Sequence, residues 1–401
     1  MKKLSFIISN HNTLNYSKLC YQSIRKNLNQ EHEIILLADG CTDGTNEWIA
    51  ELSLTDSNVK TFISTGESIG IAYMYNKGVE LASNEYICLL HSDMYVPVNF
   101  DKTVLKYISE YDFITTCRVE PSLYPPSDDK IQKDTFGLTF DKFNEKNFNT
   151  FALEMQNNTK QNSAMFFPFV MKKELYESVG GCDTLFLKYM VDDDDFYYRL
   201  VLSGIRYTQI FDTCVYHFCS RSSKFANDEI HSSGNNDWMN QYRKSTRNFI
   251  RKWGYTSNNI INGGIMSYVP SLDIALVYDN DNQELLKNLE PYFSVIYCKL
   301  QNTIDIYIKE NQQETLIDLS KKLLLINDLE TYENDIIIKI KDRLTDVDMN
   351  FINNMHKVLF NLNKVGNINN KNLNLNIFVK QIKDTAYTKV KNERKFKLYK
   401  G

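Results

Sequence analysis

EIILLADGCTDGT, residues 33–45, is a continuous apolar run that ends in an acidic turn with two glycines. A short apolar run closed by Asp and Gly is typical of a strand buried on both faces of a parallel sheet. The sequence predicts similar strands at 4–9, 59–64 and 86–90, and segments with helical spacing separate them. Strands that alternate with helices indicate an α/β fold, with a mostly parallel sheet and helices on both of its faces.

Polar and acidic side chains follow the ends of two of these strands. Asp39 follows the second strand, and the fourth strand runs into HSD, which is His91, Ser92 and Asp93. In sheets of this kind, ligands bind at the carboxyl edge, where the order of the strands reverses. We therefore expect Asp39 and Asp93 to lie at one ligand-binding edge.

The chain has 401 residues, of which 43% are hydrophobic and 24% charged, and its formal net charge is −4. This length exceeds what one compact core usually supports, so we expect two domains. The net charge provides no basic field, and nucleic acid is therefore not an expected partner. The eight cysteines are scattered without a CxxC pair, which favours reduced thiols and a cytoplasmic location. No run approaches the roughly 18 apolar residues of a membrane span, and the oligomeric state stays open.

An Asn- and Gly-rich stretch marks the expected domain boundary. We place a first domain at 1–255, a linker at 256–268, a small α/β domain at 269–380 and a basic tail at 381–401. The apolar spacing predicts helices at 314–325 and 349–360 in the second domain. Chain ends are often mobile, so we expect a partly disordered tail, with anionic membrane lipid as a candidate peripheral contact. A chain cut after Ser267 is expected to keep a folded first domain.

Four consecutive carboxylates stand in VDDDDFYYRL, residues 191–200. Adjacent like charges repel, so a fold keeps them where they are solvated, cap a helix, or face a cation or a reacting hydroxyl. A helix N-terminus favours negative charge by about 0.3–1 kcal/mol, which makes capping one explanation. We predict a helix that begins in this run, and which of these three roles its acids have stays open at this point.

The first 255 residues resemble inverting family-2 glycosyltransferases with the GT-A fold. ADGCTDGT (38–45) resembles the DDGSTDGT turn of that family, and residues 70–82 resemble its G-x-x-A-x-N-x-G helix. LLHSDM (89–94) resembles its metal-binding DxD, although His91 stands where the first acid is expected. Residues 179–204 resemble its VGGFDE…EDVDLxxR segment, with four acids in the place of EDVD. The order and spacing of these pieces carry the resemblance.

The resemblance implies metal-dependent, inverting transfer of a sugar from a UDP-, dTDP- or GDP-linked donor to a hydroxyl of a glycan, glycolipid or polysaccharide acceptor. The implied cofactor is Mn²⁺ or Mg²⁺, and the imidazole of His91 tolerates Mn²⁺ better. The implied metal ligands are Asp93, His217 and His91. The implied base that deprotonates the acceptor is Asp193, with Asp192 as its rival. The implied donor contacts are Ser9, Asn10, Asn12, Asp39, Gly70, Asn76 and Ser92.

Other interpretations stay open at this point. A nucleotidyltransferase would use a similar sheet, although residues 8–17 lack the glycine-rich loop that such enzymes usually carry after the first strand. A catalytically inactive sugar- or nucleotide-binding module is supported by the His91 departure. Asp39 and Asp43 can also build an Asx-type turn, and His217 can be a satisfied core residue.

Overall fold

The computed structural model describes residues 2–186, 188–229, 236–262, 265–326 and 332–398. The strands in these ranges are β1 (Leu4–Asn10), β2 (Glu33–Asp39), β3 (Val59–Ser64), β4 (Tyr86–His91), β5 (Met94–Tyr95), β6 (Phe113–Glu120), β7 (Lys130–Gln132), β8 (Gln161–Asn162), β9 (Phe169–Lys172), β10 (Tyr207–His217), β11 (Ile261–Asn262), β12 (Ile265–Met266), β13 (Ile274–Tyr278), β14 (Val295–Cys298), β15 (Leu323–Leu325), β16 (Ile336–Ile340), β17 (Gly366–Ile368) and β18 (Leu375–Val379). The α-helices are α1 (Leu14–Asn27), α2 (Thr45–Thr55), α3 (Ile71–Leu81), α4 (Phe100–Tyr107), α5 (Glu145–Met155), α6 (Lys173–Ser178), α7 (Asp192–Leu202), α8 (Asn236–Trp253), α9 (Gln283–Leu289), α10 (Gln301–Asn311) and α11 (Asp346–Leu362).

The first sheet has the strand order β3-β2-β1-β4-β9-β6-β10-β5, with β7 beside β6 and β8 beside β10. Strands β1 to β4 pair in parallel, whereas β9 runs antiparallel between β4 and β6. Its interior strands are apolar, and Phe6, Leu36 and Leu89 are fully buried. The predicted mixed, mostly parallel α/β architecture is therefore confirmed, and the carboxyl ends of β1, β2 and β4 meet at one edge.

The second sheet has the order β15-β14-β13-β16-β18-β17, and its first four strands are parallel. It has a separate core, in which Leu276, Ile296 and Met355 are fully buried. The smaller second α/β unit that we predicted is thus present. The helix predicted at 314–325 is wrong, because this stretch contains strand β15, which pairs with β14. Sheet pairing here overrides the helix propensity of a Leu- and Lys-rich run.

The two units share a buried ionic contact at α8. Glu290, just after α9, is fully buried, and its carboxylate lies 2.8 Å from Nη2 of Arg251 and 3.0 Å from Nζ of Lys322. Burial alone would raise the pKa of Glu290, but these two cations outweigh it and hold that pKa well below its usual range. A buried charge pair of this kind is strongly destabilised when one partner is removed. This ionic contact is therefore a structural part of both units. The exact domain limits stay a prediction.

The basic C-terminal segment packs on the first unit, contrary to the expected loose tail. We call residues 384–398 the C-terminal strap. Ala386 is fully buried in the core of the first sheet, and Val390 packs against the same core. The backbone N–H of Asn392 donates to the carbonyl of Val179 over 2.8 Å. Charge composition alone does not show these contacts, which is why the sequence suggested disorder.

Candidate active site

Three predicted metal ligands meet at the carboxyl edge of the first sheet. His91 ends β4, Asp93 follows two residues later, and His217 ends β10. The short strand β5 pairs with the end of β10 so that Met94 lies opposite His217. One donor atom from each of the three side chains lies within 4.8 Å of the other two. The structure therefore brings His91, Asp93 and His217 together, as the sequence led us to expect.

Two further contacts hold this group in place. His217 Nδ1 lies 2.8 Å from Oε1 of Glu120, and its Nε2 lies 3.5 Å from Oδ1 of Asp93. The backbone N–H of Arg221 donates to Oδ2 of Asp93 over 3.1 Å. A carboxylate behind a metal-binding histidine fixes the orientation of its ring, which is the relation of Glu120 to His217. The sequence did not predict this contact, because nothing in the local pattern around Glu120 reveals the histidine 97 positions away.

The charges in this group suit a cation. Burial alone would raise the pKa of Asp93, but His217 outweighs it and keeps that pKa well below its usual range. Burial lowers the pKa of His91 to about 3, so its ring is neutral and has a free lone pair. Burial would also lower the pKa of His217, yet Asp93 reverses this and raises it. One carboxylate and two imidazoles form a donor set that fits Mn²⁺ better than the oxygen-preferring Mg²⁺.

A second group of possible ligands shares His217. The donor atoms of Glu120, His217 and Cys219 also lie within 4.8 Å of one another, and all three residues are buried. Burial raises the pKa of the Cys219 thiol. Cys219 was not predicted as a ligand from the sequence, although its position two residues after His217 could have indicated a second possible metal ligand.

The four consecutive acids begin helix α7 and take different environments. Asp195 is fully buried, and its carboxylate accepts hydrogen bonds from Nε of Arg199 over 2.8 Å and from Nε1 of Trp253 over 2.9 Å. Lys252 Nζ lies 2.6 Å from the same carboxylate. Asp195 therefore anchors the helix. Val191, just before the helix, has φ 54° and ψ 8°, a left-handed conformation that is costly for a β-branched residue.

The charges of Asp192 and Asp193 act on the same buried tyrosine, Tyr75, as the charge of Asp93. Asp192 is 6% exposed, whereas Asp193 is half-buried and accepts the backbone N–H of Asp194 over 2.9 Å. Burial raises the pKa of both carboxyls, and the charge of Asp193 raises that of Asp192 further. Burial raises the pKa of the Tyr75 hydroxyl as well, and the charges of Asp192, Asp93 and Asp193 add to that shift. All three carboxylates therefore influence one tyrosine, and we call the region that holds His91, Asp93, His217, Asp192 and Asp193 the acidic edge.

Asp39 organises the loop before α3. Its Oδ1 accepts the backbone N–H of Ile69 over 2.7 Å, and its Oδ2 accepts the N–H of Gly70 over 3.0 Å and the hydroxyl of Ser68 over 2.6 Å. The Asx-type turn that the sequence suggested belongs to Asp43, whose Oδ1 accepts the N–H of the residue two positions on. Asp39 and Gly70 are thus adjacent at the carboxyl edge, although the two carboxylate oxygens already have partners.

Three other predicted donor contacts lie around the same strand ends. Ser9 is half-buried in β1, opposite His91 in the register of β4. The side chain of Asn12 accepts the backbone N–H of Thr42 over 2.7 Å and is itself exposed. The hydroxyl of Ser92 lies 2.9 Å from that of Thr13. These residues bring polar groups of the first, second and fourth strand ends close together.

The remaining two predicted donor contacts, Asn10 and Asn76, bind backbone groups of neighbouring elements. Both are fully buried. The amide of Asn10 donates to the carbonyl of Leu37 over 2.9 Å, which ties β1 to β2. The side chain of Asn76 accepts the N–H of Cys182 and donates to its carbonyl, each over 2.9 Å, which ties α3 to the Gly180–Gly181 turn. Both side chains thus have partners within the fold, and their role as donor contacts stays a prediction.

Open α/β sheets with mostly parallel strands form a class of proteins that bind their ligands at the carboxyl edge, which is where these acids and imidazoles lie. Residues 5–179 match the sequence profile described as "Glycosyl transferase family 2". This part of the chain, somewhat less than half of it, is therefore similar in sequence to the family-2 glycosyltransferases.

Curated relatives carry the same name. The glycosyltransferase GlyG of Streptococcus pneumoniae is 31% identical over 109 residues, which cover 27% of this chain and 36% of GlyG. The putative glycosyltransferase EpsH of Bacillus subtilis is 25% identical over 114 residues, which cover 28% of this chain and 33% of EpsH. The matched part thus spans about a third of each relative.

A solved structure is also similar in part. The Staphylococcus aureus TarS 1–349 complex with UDP has 14% identity and a TM-score of 0.41, and the match covers 62% of this chain and 80% of TarS 1–349. Within the described ranges, no helix has both the length and the apolar character that crossing a membrane requires.

Proposed function

We propose that this protein is a divalent-cation-dependent, inverting glycosyltransferase that moves a sugar from a nucleotide-sugar donor to an acceptor hydroxyl. The observation that carries the proposal is the acidic edge, where three possible metal ligands lie within 4.8 Å of one another near Asp192 and Asp193. The similarity to family-2 glycosyltransferases supports the reaction class.

Asp93, His91 and His217 would hold the cation. When bound there, a divalent cation supplies positive charge to the diphosphate that leaves with the nucleotide. Glu120 orients the ring of His217 through the 2.8 Å contact with its Nδ1, and the backbone N–H of Arg221 orients Asp93. The two imidazoles favour Mn²⁺ over Mg²⁺.

Asp193 acts as the base in this proposal. It accepts the proton of the acceptor hydroxyl while that oxygen attacks C1 of the sugar and the bond to the diphosphate breaks, so one displacement inverts the configuration. A raised pKa brings a carboxyl closer to the working pH, where it is a more effective base. Asp193 is more exposed than Asp192, which favours it as the group that an acceptor reaches.

The donor is proposed to be UDP-, dTDP- or GDP-linked and to lie along the strand ends. Ser9, Asn12 and Ser92 place hydroxyl and amide groups there, and Asp39 holds the loop that carries Gly70. The acceptor is a glycan or a lipid-linked glycan. Each of the eight cysteines is a free thiol, which supports a cytoplasmic location.

A panel of nucleotide sugars tests the proposal. We expect one or a few of them to release nucleoside diphosphate slowly in water when Mn²⁺ is present, and EDTA to stop the release. A nucleotidyltransferase would instead release pyrophosphate from a nucleoside triphosphate and a sugar phosphate. An inactive module would bind a nucleotide sugar in calorimetry and release nothing. Either of those two results overturns the proposal.

A further inference from the structure

The C-terminal strap lies against the turn that leads to the acidic helix. The side-chain amide of Asn392 donates to the carbonyls of Gly180 and Cys182, over 3.2 and 3.1 Å. Gly180 has φ +79°, and a Cβ there would lie 2.1 Å from the backbone oxygen of Asn392. Only glycine fits this position, because a larger residue would push the strap away. The turn and the strap are therefore closely matched surfaces.

Arg394 adds a bidentate ion pair to this contact. Its Nε lies 2.9 Å from Oδ1 of Asp183, and its Nη2 lies 2.6 Å from Oδ2. Asp183 is fully buried and also binds Nζ of Lys252 over 2.8 Å. Burial alone would raise the pKa of Asp183, but Lys252 and Arg394 outweigh it and lower that pKa. The strap thus supplies one of two cations that this buried carboxylate needs.

The ionic contacts continue to the acids of α7. Lys252 is shared between Asp183 and Asp195, to which its Nζ lies at 2.8 and 2.6 Å. Asp195 is also paired with Arg199, whose guanidinium donates to the carbonyls of Val179 and Gly181 over 2.7 Å each. If Arg394 is lost, Asp183 has Lys252 as its remaining ion-pair partner among the described residues. Lys252 is then drawn from Asp195, and the start of α7 loses an anchor.

The strap also contacts α3, on the donor side. The carbonyl of Lys395 accepts the side-chain amide of Asn76 over 2.5 Å. The ring of Phe396 lies 5.6 Å from that of Tyr73, in an edge-to-face arrangement. Helix α3 begins after Gly70, whose N–H binds Asp39. The strap therefore joins the helix behind the donor loop to the helix that carries the acids.

We propose that Asn392 and Arg394 are positioning residues for the transfer reaction, which hold the first turn of α7 so that Asp193 lies at the correct distance from Asp93. This inference rests on the proposed function. Neither residue touches the acidic edge, and both act through Asp183, Lys252 and the turn at Gly180. A displacement of about 1 Å between reacting groups lowers rates by up to about 100-fold, so a small shift of α7 is sufficient.

The test uses the full chain with Arg394→Ala. We expect kcat to fall by at least about tenfold while donor affinity, measured by calorimetry with Mn²⁺, stays within about twofold, because the metal-ligand group is not displaced. Arg394→Lys should restore part of kcat, since it keeps the charge and loses the bidentate geometry. Lys397→Ala, which removes an exposed strap cation, should behave like the wild type.

Amide hydrogen exchange gives a second measurement that does not need activity. In Arg394→Ala and in Asn392→Ala, we expect faster exchange in residues 188–200 and unchanged exchange in β1 and β13. An unchanged kcat with unchanged exchange overturns the inference. A joint loss of kcat, donor affinity and protection in β1 also overturns it, because that is general unfolding. If the wild type neither transfers a sugar nor hydrolyses a nucleotide sugar, the proposed function fails. Amide hydrogen exchange in residues 188–200 then still shows whether the strap holds α7.

Discussion

At the scale of single side chains, the proposed function makes Asp93 the residue on which cation binding should depend most. It is the carboxylate of the metal-ligand group, and the histidine beside it holds its pKa low. We expect Asp93→Ala to abolish the dependence of donor affinity on Mn²⁺, as measured by calorimetry with and without the ion. Asp112→Ala, which breaks an exposed pair with Arg206, is the control. Mn²⁺-dependent affinity at the wild-type level in Asp93→Ala would remove Asp93 from the ligand set.

Asp193 differs from the neighbouring acids in its predicted role, which is to accept the proton of the acceptor hydroxyl. We expect Asp193→Asn to keep donor affinity and to lower kcat by about 10²–10⁴-fold, the usual contribution of a general base. Asp194→Asn is the matched control, because it changes the next carboxylate of the same helical turn. A near-normal kcat in Asp193→Asn together with a large loss in Asp192→Asn would move the role to Asp192.

The sequence predicted the meeting of His91, Asp93 and His217 because strand ends at one edge of a sheet are neighbours. It did not predict the positions of Asn10 and Asn76. Their partners, Leu37 and Cys182, lie 27 and 106 positions away. Long-range hydrogen bonds of this kind leave no mark in the local pattern.

At the scale of elements, Lys389 in the strap is expected to make the free energy of unfolding depend on pH. Its Nζ donates to the carbonyl of Lys252 over 2.7 Å, and burial together with the charges of Lys252 and Lys322 lowers its pKa from 10.5 to about 7. Between these two values the unfolded chain holds a proton that the folded chain does not. The free energy of unfolding therefore rises with pH from about 7 to about 10.5.

Lys389→Met should remove this rise. We expect the variant to be more stable than the wild type near pH 7 and the difference to shrink towards pH 10, as measured by urea unfolding at several pH values. The variant removes a half-buried, poorly solvated charge, which is the physical reason for the gain. Lys391→Met, at an exposed strap position, is the control. Wild-type and Lys389→Met curves that stay parallel across this range would contradict the assignment.

Elements differ in how well their sequence specifies them. Helix α11 was predictable because Thr345 and Asp348 form a capping box and apolar residues follow at helical spacing. Strand β15 was not, since its three leucines become a strand only through pairing with β14. The strap was missed because its contacts are mostly hydrogen bonds and ion pairs to a distant turn.

At the scale of the whole molecule, the two units share buried contacts that bear on the predicted independence of the first domain. A chain that ends at Ser267 loses Glu290, the buried partner of Arg251, and loses Ala386 from the first core. We now expect this fragment to aggregate or to melt well below the full chain, because breaking a buried ion pair alone costs about 3–5 kcal/mol. Size-exclusion chromatography and thermal unfolding by circular dichroism measure this.

A nicked chain is the control for that truncation. A protease site in the 256–268 linker, cut without separating the pieces, keeps every contact except one peptide bond. It should retain the melting temperature of the intact chain. A soluble, cooperative fragment 1–267 with an unchanged melting temperature would show instead that the second unit is dispensable for the first.

Two α/β units were predictable from hydrophobic periodicity and from the Asn- and Gly-rich stretch between them. Their join was not, because Arg251, Glu290 and Lys322 look like surface charges in a sequence. Whether a charge is buried depends on which surfaces meet, and that is a property of the complete fold.

The strap contact at Arg394 has a consequence for biosynthesis. During translation, the turn at Gly180 and helix α7 leave the ribosome roughly 200 residues before their last partner, Arg394. Nascent chains, and products of premature termination before that codon, would carry the donor-side strands without a fully braced α7. Under the proposed function, the full rate of transfer would therefore be reached only after synthesis has passed residue 394.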